Sequence, residues 1–133
     1  MHCLIKNVII IFFLNPGPDG KWFGIALGAK TFTMSDNPYA IIIDGSGTVS
    51  EMKLGNHDGG QALSKSVQVV SNQAENGIRT VVLTRSFKGQ TADHYTFDPS
   101  TTSTIPILTA SGKASTYAYH GPTNRYTAFS HTY

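Results

Sequence analysis

Short apolar runs and stretches of alternating polar and apolar residues, separated by turn residues, follow one another along the whole chain. The run Ala40–Ile43 is continuously apolar, which is typical of a strand buried on both faces. Ile78–Phe87 alternates instead, as a half-buried strand does. One face of that strand carries Arg79, Val81, Leu83 and Arg85. No stretch shows the period of an amphipathic helix, so the pattern predicts an all-β fold.

Nine segments are predicted as strands, and turn residues lie between them. The segments are Val8–Leu14, Lys21–Gly28, Tyr39–Asp44, Thr48–Leu54, Ser66–Ser71, Ile78–Phe87, Thr104–Leu108, Lys113–Tyr119 and Arg125–Tyr133. Asp44–Gly47 is expected to form a tight hairpin connection, and Asn76-Gly77 is a second strong turn signal. Short strands at this spacing are typical of a sandwich. We predict one domain over residues 1–133, an antiparallel immunoglobulin-like β-sandwich of about nine or more strands.

The N-terminal run Val8–Leu14 is interpreted as a buried first strand and not as a signal peptide or a membrane anchor. Its seven apolar residues are too few to span a bilayer. The following Asn15–Pro18 offers no small-residue cleavage pattern. Because the Pro/Gly turn leads directly into the strand that carries Trp22, we expect the two strands to form a hairpin-like pair or to share a sheet.

Composition excludes several classes of function. The formal net charge is +2 and no run of basic residues occurs, which argues against a nucleic-acid partner. Cys3 is the only cysteine, so neither an internal disulfide nor a cysteine-based zinc site can form. No serine, cysteine or carboxylate stands in a motif for nucleophilic or acid–base catalysis. Gly24 and Gly28 lie within a predicted strand, at positions where another group can approach the backbone closely.

The histidines differ in their sequence context. His2 is terminal and expected to be disordered, whereas His57 and His94 lie in polar loops and are interpreted as solvated. His131 shares a predicted strand face with Phe129, and a core histidine is the default interpretation for it.

Met34 lies in the loop between two predicted buried strands. Its thioether either fills a gap in the core or faces a partner that favours a soft ligand. A methionine thioether and a histidine imidazole together form a known axial pair for haem iron, so Met34 and His131 are candidate ligands. The residues alone leave this pairing open.

Several segments that span nearly the whole chain form a distinctive series in their order and spacing: Trp22–Gly28, Met34, Asp44–Val49, Asn76-Gly77, Val81–Arg85, Tyr117–Tyr119 and His131. This series resembles the DOMON domain, a family that includes the N-terminal domain of dopamine β-monooxygenase and the cytochrome domain of cellobiose dehydrogenase. The resemblance implies a β-sandwich with a pocket at one end, which in the cytochrome members holds haem b between a methionine and a histidine. Met34 matches the family's methionine, and His131 matches its histidine better than His120 does.

The resemblance implies an electron-transfer module that would not catalyse a reaction alone. Haem b would be held by Met34 and His131 as iron ligands, in a pocket that Trp22, Tyr117 and Tyr119 line. The module would pass electrons to or from a redox partner domain or protein, and its expected location is extracellular or lumenal. No direct membrane insertion is expected from this segment.

The alternative is a haem-free module of an extracellular assembly that binds a carbohydrate or another ligand, or that serves as a structural interaction domain. In that case the aromatic residues Trp22, Tyr117 and Tyr119 would stack a sugar ring or pack a neighbouring subunit. The chain also departs from the family because it stops two residues after His131 and starts without a persuasive signal peptide. We therefore expect a domain that is truncated at both ends.

Overall fold

The computed structural model describes residues 2–5, 8–16, 20–29, 36–55, 60–98, 104–112, 114–116 and 127–132, with only the backbone described in 2–5, 8–16 and 127–132. The strands in these ranges are β1 His2–Ile5, β2 Val8–Pro16, β3 Phe23–Leu27, β4 Tyr39–Ile43, β5 Val49–Lys53, β6 Gln61–Leu63, β7 Gln68–Glu75, β8 Ile78–Ser86, β9 Thr104–Ser111 and β10 Thr127–Thr132. Neighbouring strands pair antiparallel throughout, and these ranges contain no α-helix. The predicted all-β antiparallel fold is confirmed.

The strands form two sheets. One has four strands in the order β1-β2-β8-β7, and the other has six in the order β10-β9-β3-β4-β5-β6. The chain therefore passes from one sheet to the other between β2 and β3, between β6 and β7, and between β8 and β9. Both sheets pair early strands with late ones, since β2 lies beside β8 and β3 lies beside β9.

The main core contains side chains from both sheets. Val81 and Leu83 of β8 are buried together with alternate residues of β3, β4 and β9. The full cluster is Phe23, Leu27, Tyr39, Ile41, Ile43, Val67, Val81, Leu83, Phe97, Ile105 and Ile107. The intervening residues of β4, Ala40 and Ile42, belong to a second buried cluster. The prediction that this strand is buried on both faces is therefore confirmed, since every residue of β4 is buried.

Two predicted connections are confirmed with their local geometry. Asp44–Gly47 joins β4 to β5, and the Asp44 carboxylate accepts hydrogen bonds from the backbone N–H groups of Ser46 and Thr48, both at 2.9 Å. Asn76 and Gly77 join β7 to β8 with φ of 53° and 77°. Positive φ at both positions is what a type I′ hairpin turn requires, and asparagine and glycine tolerate it.

The sheet predicted for the N-terminal strand is wrong, although the strand itself is confirmed. β2 pairs with β8 from Val8↔Ser86 to Pro16↔Ile78, whereas β3 lies in the other sheet between β4 and β9. The Pro/Gly-rich stretch between them therefore crosses from one sheet to the other. A turn signal shows where the chain reverses, but the choice of sheet depends on which later strands offer a partner.

Three further local predictions are corrected. His2 is not disordered, since it lies in β1 and pairs with Ile10 of β2. Gln61–Leu63, for which no strand was predicted, forms the short strand β6, which adds to the edge of β5. Within the candidate strand Lys113–Tyr119, the residues that the structure describes, 114–116, form bends and no strand.

Candidate functional site

Of the residues predicted to hold or line a haem site, Met34, Tyr117 and Tyr119 lie outside the described residues, as does His120. His131 lies on β10, the edge strand of the six-stranded sheet, where its backbone pairs with Ile105 of β9.

The backbone of His131 lies at one end of the six-stranded sheet. We call this the Gly28 end, because β3 finishes there with Leu27 and Gly28 donates its backbone N–H to the Pro106 carbonyl at 2.9 Å. β9 begins at this end, and β10 reaches it with His131. The connection from β3 to β4, which contains Met34, leaves the sheet at the same end. Two strand spacings, roughly 10 Å, separate β3 from β10.

Trp22 is buried in the second cluster and is only 3% exposed. This cluster lies on the other face of the six-stranded sheet from the main core, and its members are Trp22, Ala26, Ala29, Ala40, Ile42, Leu54 and Leu108. The backbone N–H of Trp22 donates to the Ala114 carbonyl, and the Trp22 carbonyl accepts from the backbone N–H of Gly112. A Cβ at Gly112 would lie 1.7 Å from the Trp22 indole nitrogen, so only glycine fits there.

Gly28 allows an aromatic ring to approach the backbone. Its φ is +81°, and a Cβ at this position would lie 2.6 Å from a ring carbon of Tyr95. The Tyr95 ring in turn meets Phe97 edge to face, with centroids 4.9 Å apart. The close approach expected at Gly24 is also found, because a Cβ there would meet the Ile41 carbonyl oxygen at 2.6 Å. Both glycine predictions are confirmed.

Glu51 is the centre of a buried hydrogen-bond network near the Gly28 end. Glu51 lies in the middle of β5 and is only 2% exposed. Its carboxylate accepts hydrogen bonds from the Tyr39 hydroxyl at 2.5 Å, from the hydroxyl and backbone N–H of Ser66, and from the Val67 N–H at 3.1 Å. Burial alone would raise the pKa of the Glu51 carboxyl, but these hydrogen bonds outweigh it and the pKa is lowered.

His94 is buried beside this network, so the prediction of a solvated loop histidine is wrong. Its Nε2 is 2.8 Å from the Ser64 carbonyl oxygen, and its Nδ1 is 2.7 Å from the Thr91 hydroxyl. Because a carbonyl oxygen only accepts, Nε2 carries a hydrogen and donates it to Ser64. The same Nε2 lies 3.8 Å from a carboxylate oxygen of Glu51. Folding of the 88–98 segment, and not local sequence, encloses the ring.

Arg85 is the second buried charge of this region and is 3% exposed. Its Nε donates to the Ser86 carbonyl at 3.1 Å, and its Nη2 donates to the Tyr95 carbonyl at 2.5 Å. The guanidinium carbon lies 5.2 Å from the centre of the Tyr39 ring and 5.3 Å from that of Phe97. Its Nη1 is buried, and it has no hydrogen-bond partner in the part of the chain that the structure describes.

Tyr39 connects the two buried charges. Its hydroxyl donates to Glu51, while its ring contacts the guanidinium of Arg85. Burial raises the pKa of the Tyr39 hydroxyl, and its hydrogen bond to the Glu51 carboxylate raises it further. The hydroxyl therefore stays protonated and acts as a donor to the carboxylate.

An ion pair between Lys53 and Asp93 lies at the rim of the network. The ammonium nitrogen is 2.8 Å from the carboxylate, and both side chains are 39% exposed. Across the described ranges, no group of three or more histidine, cysteine, aspartate or glutamate residues could hold a metal ion. In those ranges there is also no helix of the length and apolarity that crossing a membrane would demand.

A comparison of the sequence with protein-family models finds no match, and a comparison with curated proteins finds none.

Sequence reasoning missed the network of Tyr39, Glu51, His94 and Arg85. Arg85 did carry a signal, because the alternation of β8 places it on the same face as the core residues Val81 and Leu83. Glu51 carried a weaker one, since it shares a face of β5 with Val49, which packs against the main core. A charged residue on an otherwise apolar strand face predicts a buried partner of some kind.

Proposed function

We propose that this chain is a DOMON-like immunoglobulin-type β-sandwich that binds haem b and transfers electrons to or from a partner domain or protein. The observation that supports the proposal is topological. The backbone register carries His131 to the Gly28 end, and the connection that contains Met34 leaves the sheet from that same end. In sequence, Met34 lies 97 positions before His131 (131 minus 34), between Leu27 and Tyr39, and those two residues pair with each other at the Gly28 end.

The donor set fits the cofactor. Imidazole and thioether form an axial pair found in cytochromes, and the thioether raises the reduction potential. When bound, haem b would supply a one-electron couple at the Gly28 end. The chain's own contribution would be to hold the iron through Met34 and His131 and to keep water away from it.

The sandwich itself is part of the proposal. The main core draws side chains from β8 of the four-stranded sheet and from β3, β4 and β9 of the six-stranded sheet, as expected for two sheets packed face to face. The haem-free alternative, a carbohydrate-binding or structural module, would use the same architecture. Trp22 is buried in the second cluster, so it offers less support for a sugar-stacking surface than an exposed aromatic ring would.

An absorption spectrum of the purified protein with haem, oxidised and then reduced, tests the proposal. We expect a low-spin spectrum in both states. His131→Ala should have the largest effect, because imidazole is the stronger donor and its loss should weaken retention of the haem. Met34→Ala should leave haem bound with a lower reduction potential.

His120→Ala is the matched control, and we expect a spectrum close to that of the wild type. A reconstituted wild type without any low-spin spectrum would contradict the proposal. So would loss of binding in His120→Ala together with normal binding in His131→Ala.

A further inference from the structure

The guanidinium of Arg85 is held on three sides by the protein. Ser86 and Tyr95 accept from Nε and Nη2 through their carbonyl oxygens, and the rings of Tyr39 and Phe97 lie against the group. These contacts fix the orientation of the planar fork, so the direction of the remaining nitrogen, Nη1, is fixed as well. The two N–H groups on Nη1 are buried, and they donate to no group among the described residues.

Within the part of the chain that the structure describes, no carboxylate makes a hydrogen bond or an ion pair with Arg85. Glu51 already accepts from Tyr39, Ser66 and Val67, and the Tyr39 ring is the part of that network that contacts the guanidinium. Among the described ion pairs, Asp93 is bound to Lys53. A buried arginine whose charge lacks a carboxylate partner is costly, and buried donors in native proteins are nearly always paired. An acceptor from outside the described protein groups would remove this cost.

We propose that Nη1 of Arg85 binds a carboxylate oxygen of a ligand at the Gly28 end. The location follows from Tyr95, whose carbonyl accepts from Arg85 and whose ring covers Gly28. A carboxylate is the group that arginine pairs with best, because its two oxygens match the geometry of the guanidinium fork. The Tyr95 ring itself is half-buried.

Two sources could supply the carboxylate. One is a propionate of haem, and to that extent the inference rests on the proposed function. The other is a free organic acid, which would bind without haem. In both cases the chemistry at Arg85 is the same, a charge-assisted hydrogen bond between Nη1 and a carboxylate oxygen.

Titration of the protein with haem and with haem dimethyl ester distinguishes these possibilities. The ester keeps the iron and the ring but lacks free carboxylates. The wild type should bind haem at least about tenfold more tightly than the ester, which is the expected size of one hydrogen bond to a charged group. Arg85→Gln should bind both with nearly equal affinity. Arg85→Lys keeps the charge but not the fork, and serves as a second variant if Arg85→Gln does not fold.

Arg79→Gln is the matched control, because Arg79 lies on the same face of β8 and its Nη1 donates to the Asn72 side chain at 2.8 Å. This variant should keep the wild-type preference for haem over the ester. Equal binding of haem and ester by the wild type would overturn the carboxylate site and leave haem binding intact.

A protein that binds no haem at all would instead contradict the proposed function. In that case thermal unfolding tests whether Arg85 binds a free carboxylate. Acetate, compared with chloride at equal ionic strength, should raise the Tm of the wild type and of Arg79→Gln in a concentration-dependent way. Arg85→Gln should lose this shift. The same acetate response in Arg85→Gln as in the wild type would mean that Nη1 bonds only to a buried water, and the inference would be wrong.

Discussion

Glu51 and Arg85 are buried to the same degree near the same end of the core, and they carry opposite charges, yet their surroundings differ. The Glu51 carboxylate accepts four hydrogen bonds, from Tyr39, Ser66 and Val67. Arg85 donates two hydrogen bonds through Nε and Nη2, while its Nη1 donates none within the described ranges. The described residues provide four hydrogen-bond donors to the Glu51 carboxylate, whereas they provide acceptors for only two of the three guanidinium nitrogens of Arg85.

The difference separates stability from binding. A buried charge whose hydrogen-bonding capacity is filled contributes to the stability of the folded state. Removing it leaves its buried partners without hydrogen bonds, which is costly. A buried charge with an unused donor adds less to stability and is available to a ligand. The experiments below change one side of this comparison at a time.

Glu51→Gln should have the largest effect on stability. The substitution keeps the shape, but it removes the charge and replaces one acceptor oxygen with a donor that faces the N–H and O–H groups of Ser66, Tyr39 and Val67. We expect a loss of about 3 kcal/mol in the free energy of unfolding, measured with urea. Glu75→Gln, at an exposed position at the end of β7, should change it by less than about 0.5 kcal/mol. Similar losses in both variants would remove the basis for the comparison.

Acid should reduce the contribution of Glu51 to the free energy of unfolding and leave that of Arg85 unchanged. The pKa of its carboxyl is lowered from the ordinary value of 4.5, so the folded state holds this proton less tightly than the unfolded state. Its contribution to stability is therefore complete above pH 4.5 and is lost as the pH falls further. Arginine does not titrate in this range.

Unfolding by urea at several pH values between 3 and 7 measures this effect. The slope of stability against pH below pH 4.5 should be smaller in Glu51→Gln than in the wild type. Asp44, whose pKa is also lowered, retains part of the slope through its hydrogen bonds from Ser46 and Thr48. An unchanged slope in Glu51→Gln would show that other carboxyl groups are responsible.

Tyr39→Phe should have an intermediate effect, because it removes one of the four hydrogen bonds to Glu51 and keeps the aromatic ring. The hydroxyl that donates to Glu51 is removed, while the ring beside Arg85 remains. We expect a loss of about 1.5 kcal/mol, the size of one hydrogen bond to a charged group. In the Glu51→Gln background the same change should cost less, and a double-mutant cycle measures the coupling. Fully additive losses would show that the hydroxyl stabilises the core in another way.

Lys53→Met should have the smallest effect. The ion pair with Asp93 is 39% exposed on both sides, and pairs of this kind contribute about 0.5 kcal/mol or less. Methionine keeps the apolar stem of the side chain. A loss comparable to that of Glu51→Gln would show that the rim is as important to the network as its buried centre.

The local elements were predictable because their signals are local. The continuous apolar run of β4 and the Asn76-Gly77 turn each determine the conformation of a few adjacent residues. The sheet to which β2 belongs was not predictable in this way. Its partner, β8, lies some 70 residues later, as in the pair Phe12↔Val82, and no turn residue encodes that choice.

The buried polar residues were harder to predict than the apolar core. His94 stands beside Asp93 in a polar segment, and its burial depends on the Ser64 carbonyl and the Thr91 hydroxyl, which form hydrogen bonds with its two ring nitrogens. The burial of Arg85 follows from strand alternation alone, but its unused nitrogen depends on where Tyr39 and Phe97 pack. Patterns identify the face of a strand, whereas hydrogen-bond partners arise only from the tertiary fold.

The pairing of early strands with late ones also has a consequence for folding. The β4–β5 and β7–β8 hairpins close short loops. The pairing of β3 with β9 instead joins distant residues, such as Ile25 and Thr109, which are 84 positions apart (109 minus 25). Contacts between such distant residues make folding slow. During synthesis, the apolar sequence VIIIFFL of β2 therefore emerges long before β8 exists to pair with it. An unpaired apolar strand of this kind is prone to associate with other chains, so a nascent chain of this protein is a natural client for chaperones until its second half has been made.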